Sequence, residues 1–176
     1  MKKFRMIAVL SAVAMTAAFV ANGDEDAPKN QSKTNQITNV PGTPERSLKE
    51  PVKSVLDHYL KIQTALADDS TNGVSAHAIA IANAVKADKT KTLSSEVAEN
   101  ADALGKAKDL PAARESFKDL SQSLIKYLAD EKVKTGRFEE IFCPMANAYW
   151  LQTNQNIANP YLGHSMPGCG ETKRAF

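Results

Sequence analysis

Four stretches of apolar residues recur at helical spacing through the middle of the chain, and no other feature limits its fold as strongly. Val52, Val55, Leu56, Tyr59, Leu60 and Leu66 share one face of a helix and predict an amphipathic helix from about Leu48 to Ala67. Pro51 is tolerated there because the first turn has unpaired backbone donors anyway. Asp68-Asp69-Ser70-Thr71-Asn72-Gly73 reads as a turn. Val74, Ala78, Ile81 and Val85 predict a second helix ending near Ala87. After the polar break Asp88 to Thr92, a third is marked by Leu93, Val97, Ala101 and Leu104, with Ser94 or Ser95 near its start. Asp109-Leu110-Pro111 opens a fourth, since aspartate caps and proline suits the first turn. Its stripe is Ala113, Phe117, Leu120, Leu124, Tyr127 and Leu128. Four helices with short polar loops predict an all-α fold, an antiparallel up-down four-helix bundle ending near Lys132.

Beyond Thr135-Gly136 the pattern changes. Phe138, Ile141 and Phe142, then Tyr149, Trp150 and Leu151, suggest two short extended segments among prolines and glycines. A small irregular or short-β C-terminal cap over residues 135–174 is expected, anchored to the helices by its aromatics.

The chain starts with the features of a secretory signal over residues 1–23. Lys2, Lys3 and Arg5 precede an apolar run from Met6 to Val20, and Ala21-Asn22-Gly23 supplies small residues for cleavage. The run is short for a membrane span. An exported, periplasmic protein is therefore expected, with no span after cleavage. Residues 24–46 are polar and Pro-, Gly- and Asn-containing, which predicts a disordered linker before a domain at 47–174. The chain has 22 Lys+Arg and 20 Asp+Glu, and three of the basic residues lie in the signal. The remainder carries one more acid than base, with no basic cluster for nucleic acid.

Chemistry concentrates in the last third. Both cysteines lie there, one in Cys143-Pro144-Met145 and one in Met166-Pro167-Gly168-Cys169. Thiolate and thioether are soft donors and select Cu(I), or Ag(I), over harder ions. Pro144 restricts the backbone between Cys143 and Met145, and Pro167-Gly168 is a turn dipeptide. His164 adds an imidazole two residues before Met166. Trp150 is placed to shield such a site. Cys143, Cys169 and His164 also suit zinc, but methionine is not a usual zinc ligand. A disulfide competes equally with metal: a Cys143–Cys169 bridge would add roughly 3 kcal/mol on the chain-entropy view and leave Met145 and Met166 as packing residues.

Elsewhere the residues read blandly. His58 and His77 are expected as separate surface or boundary histidines, and Asp68-Asp69 as a solvated turn. Arg114 is expected to pair with a carboxylate or with the cap. No nucleophile elbow, phosphate loop, His-Glu-x-x-His or dinucleotide fingerprint occurs, so no enzyme is expected.

The run Cys143-Pro144-Met145-Ala146, Trp150-Leu151, Asn159-Pro160-Tyr161, Gly163, Met166 and Cys169-Gly170 resembles the signature of the DUF3347 family. Tyr59-Leu60, Ala65-Leu66-Ala67-Asp68-Asp69, Ala113-Arg114, Phe117 and Leu120-Ser121 extend the likeness from about Leu48 to Lys173. Members are exported bacterial domains, some joined to CusB-type adaptor subunits of heavy-metal efflux systems. The resemblance implies copper or silver handling, with Cys143, Met145, Met166 and Cys169 as its positions. The expected function is thus capture of Cu(I) and hand-over to an efflux adaptor or another periplasmic carrier. The competing expectation is a helical interaction module of the cell envelope, pinned by a disulfide and free of metal.

Overall fold

The computed structural model describes residues 48–153 and 156–176. The expected signal and linker lie outside the described residues. Four helices form: α1 (Val52–Ala67), α2 (Val74–Ala87), α3 (Ser95–Gly105) and α4 (Leu110–Asp130). Three strands follow: β1 (Glu139–Cys143), β2 (Ala148–Gln152) and β3 (Glu171–Ala175).

The apolar stripes explain the helices. In α1 the buried side chains Val52, Val55, Leu56, Tyr59, Ile62 and Leu66 follow the three-and-four spacing of one face. In α4 they include Ala113, Phe117, Leu120, Leu124 and Leu128. Asp109 caps α4 by accepting the Ala112 N–H at 2.8 Å. The polar break after α2 is an ordered loop: Asp88 accepts the N–H groups of Thr90 (2.9 Å) and Thr92 (2.7 Å).

The all-α, up-down bundle is corrected by the sheet. β1 lies between β2 and β3 and is antiparallel to both. The sheet is part of the core rather than an irregular cap. Ile141, Cys143, Trp150 and Leu151 are fully buried with the helical stripes. The reason is a buried polar and aromatic junction. Tyr59 of α1 stacks on Phe117 of α4 with centroids 4.9 Å apart. Its hydroxyl meets Ser121 Oγ at 2.8 Å and accepts the Leu151 N–H of β2 at 3.0 Å. Tyr161 packs against both Phe117 and Trp150 and donates its hydroxyl to the Tyr149 carbonyl at 2.6 Å. The face of α1 and α4 that a plain bundle would close upon itself thus carries β2.

Strand β3 was not foreseen, because Glu-Thr-Lys-Arg-Ala has no apolar alternation and its side chains are all exposed. It is held by backbone pairing to β1 and by Arg174 Nε, 2.5 Å from Glu140 Oε2 on the facing register position. Phe176 then turns inward, buried, and its N–H bonds the Phe138 carbonyl at 2.8 Å.

Tyr59→Phe tests the junction. It removes one oxygen and strips partners from the Leu151 N–H and Ser121, at an expected cost of about 1–3 kcal/mol. A urea denaturation midpoint unchanged from wild type would contradict this role.

Candidate functional site

Cys143 is the last residue of β1, and Cys169 stands two residues before β3. Both are free thiols, Cys143 fully buried and Cys169 partly exposed. The central position of β1 brings the ends of both neighbouring segments to one spot. There each thiol lies near enough to the other to shift its acidity. The tight turn after β1, with Asn147 at φ 45°, folds back so that the Ala146 N–H reaches Cys143 Sγ at 3.4 Å. The Met145 N–H also helps to lower the pKa of both thiols.

The electrostatics separate the two thiols. Burial works to raise the Cys143 thiol, but hydrogen bonds from Cys169, the Ala146 N–H, Asn159 and the Met145 N–H hold it below its ordinary value. Cys169 is raised by its bond to Cys143, by burial and by the adjacent negative charge. Cys143 is therefore the more acidic thiol of the pair and Cys169 the less acidic one, and the thiolate is the form that binds soft metals.

Asn159 organises the site, and only the family resemblance had drawn attention to it. It is fully buried. Its Nδ2 donates to the Cys169 carbonyl at 2.6 Å, and its Oδ1 accepts the N–H groups of Tyr161 (2.8 Å) and Leu162 (2.9 Å). Gly170 is needed for close approach: a Cβ there would lie 2.7 Å from Ile141 Cγ2 and 2.8 Å from Trp150 Cη2. Trp150 thus lies directly beneath the chain that leaves Cys169.

The methionines sit in the same two turns, with Met145 68% and Met166 42% exposed. The Cys169 N–H bonds the Met166 carbonyl at 3.1 Å. His164 is drawn elsewhere. Its N–H (3.0 Å) and its Nδ1 (3.1 Å) both meet Asp69 Oδ2. No group of three or more His, Cys, Asp or Glu gathers into a metal cage among the described residues.

Asp69 corrects the expectation of a solvated turn. Its Oδ1 is 2.5 Å from Arg114 Nη2. Arg114 also donates to the carbonyls of Leu66 (2.9 Å) and Pro160 (2.8 Å), so it pairs with a carboxylate and with the C-terminal segment together. The His164 N–H, then Arg114, hold the Asp69 carboxyl below the usual range. A depressed folded pKa adds stability that is present above the unfolded value and lost as pH falls through the folded one. Wild type should therefore lose more stability than Asp69→Asn between about pH 5 and pH 2. Parallel pH profiles for the two proteins would exclude this linkage.

No helix among the described residues is long and apolar enough to cross a membrane. No curated protein and no solved structure matches the chain. Residues 55–136 match the family model described as "Protein of unknown function (DUF3347)". The match covers nearly all of the four helices and ends before β1, whereas the likeness read from the sequence was strongest in the Cys and Met run. Over its helical region, then, the chain is similar to the DUF3347 family.

Proposed function

We propose that the protein is a non-enzymatic carrier of Cu(I), with Ag(I) as a second cargo, acting in the periplasm. The observation that carries this reading is the thiol pair. Two free cysteines from separate segments lie near enough to shift each other's acidity, Cys143 toward the more acidic side, beside two turns that each bear a methionine. Soft sulfur donors in low number suit Cu(I), which harder donors do not favour. Cys143 and Cys169 would hold the ion. Met145 and Met166, both exposed, would offer thioethers for capture and exchange with a carrier such as a CusB-type adaptor. Trp150 and the sheet limit water from below.

The same adjacency favours a second reading, a disulfide that pins the C-terminal segments to the sheet in an envelope interaction module without metal. Anaerobic Cu(I) titration under reducing conditions, in competition with a colorimetric chelator, separates the two. Carriage predicts one equivalent bound, at least a hundredfold weaker binding in Cys143→Ser, and a smaller loss in Met145→Ala and Met166→Ala. A protein that binds no Cu(I) when fully reduced, yet gains thermal stability on oxidation, is the pinned module.

A further inference from the structure

His58 and His77 are not the separate histidines that their spacing suggested. The α1–α2 hairpin sets them face to face, Nδ1 to Nδ1, at 3.0 Å. Their ring centroids are 5.2 Å apart and the rings tilt by 40°. Both are half-buried. The far edge of the His77 ring lies against the turn at the start of α2, where a Cβ on Gly73 would be 3.6 Å from Cδ2 and 3.7 Å from Nε2. The Nδ1 edge is the one left for His58.

One hydrogen bond between neutral rings accounts for this geometry, with a single proton shared. A metal ion in place of that proton accounts for it equally well. With metal–nitrogen bonds of about 2.0–2.1 Å, two imidazole nitrogens lie about 2.8–3.0 Å apart when held at right angles and about 3.3–3.4 Å apart on a tetrahedral centre. The observed 3.0 Å matches the right-angle separation, so an ion that holds the rings on adjacent square or octahedral positions needs no change in helix spacing, and a tetrahedral one needs them about 0.3 Å further apart. We propose that His58 and His77 form a bis-imidazole site for a borderline divalent ion of the Zn(II), Ni(II) or Cu(II) kind, with water as the remaining ligands.

This site does not depend on the thiol pair. Imidazole favours borderline ions and thiolate soft ones, so the two places would sort different cargo. His77 is kept below the ordinary histidine value by burial, then by the charges of His58 and Lys61. Lys61, three residues on from His58 along α1, opposes a second positive charge, and the site draws only two protein ligands from the described residues. Binding will be modest.

The test is Zn(II) titration calorimetry at neutral pH on the full chain carrying Cys143→Ser and Cys169→Ser, which removes the thiols. We expect one equivalent bound. His58→Gln or His77→Gln added to that background should each weaken it at least tenfold, with circular dichroism unchanged. If a variant unfolds, the imidazole 15N signals of the parent decide: those of His58 and His77 should move with Zn(II), and that of His164 should not. No binding by the parent, or binding that survives either substitution, overturns the proposal.

Discussion

Trp150→Ala should lower the unfolding free energy by about 3–5 kcal/mol, the range for deleting a large aromatic from a packed core. Trp150 is fully buried and meets Tyr161 edge-on at 5.9 Å. Its indole N–H donates to Gln152 Oε1 at 3.1 Å, and Gly170 crosses its ring. Deletion leaves a cavity between the sheet and the α1–α4 face that the backbone of β2, tied to Tyr59, cannot collapse into. As the chain's sole tryptophan, it also reports on itself. In wild type, its fluorescence and the far-ultraviolet dichroism of the helices should follow one urea transition, as expected when sheet and helices share a core. A fluorescence change at clearly lower urea than the helical one would mean that the sheet is a detachable appendage.

Gly163→Ala should cost about 3 kcal/mol, from left-handed strain and the displaced polar cluster together. Gly163 has φ +52°, a region that side chains disfavour. A Cβ there would overlap Asp69 Oδ1 and lie 2.5 Å from Arg114 Nη2. The substitution strikes the point where the C-terminal segment is fastened to the end of α1 and the start of α4. Loss of Arg114 contacts should also loosen the Asn159 turn and raise the reactivity of Cys169 toward an alkylating reagent. A Gly163→Ala protein with wild-type stability and alkylation rate would show that the fastening is dispensable.

The legible and illegible parts of this molecule divide by distance along the chain. The stripe of α4, the Asp109 cap and the Asp88 break could be read because each involves neighbours within a few turns. Phe138 to Phe142 and Tyr149 to Leu151 were read as extended for the same reason, and they became β1 and β2. The third strand could not be read, since its partner is β1 backbone and its side chains are polar and exposed. Nor could the His58–His77 contact, which depends on how two helices rotate against each other. Asp69 looked like an ordinary turn residue because both groups it binds, Arg114 and His164, come from distant segments.

Within the candidate site, residue types were visible and their grouping was not. The two cysteines and two methionines stood out as soft donors, and the fold brings the two thiols near enough to shift each other's acidity. His164 was included by nearness in sequence, yet it turns to Asp69. Asn159, buried beneath both segments, has no composition signal of its own.

Local periodicity therefore determined four helices and two extended runs, because burying one face of each is a decision made by neighbouring residues. The tertiary structure alone decided that a three-stranded sheet shares the helical core and that its central strand ends where Cys143 meets Cys169. Strand order and long-range polar pairing are properties of the assembled chain, fixed by which buried hydrogen-bonding groups find partners once the elements have packed.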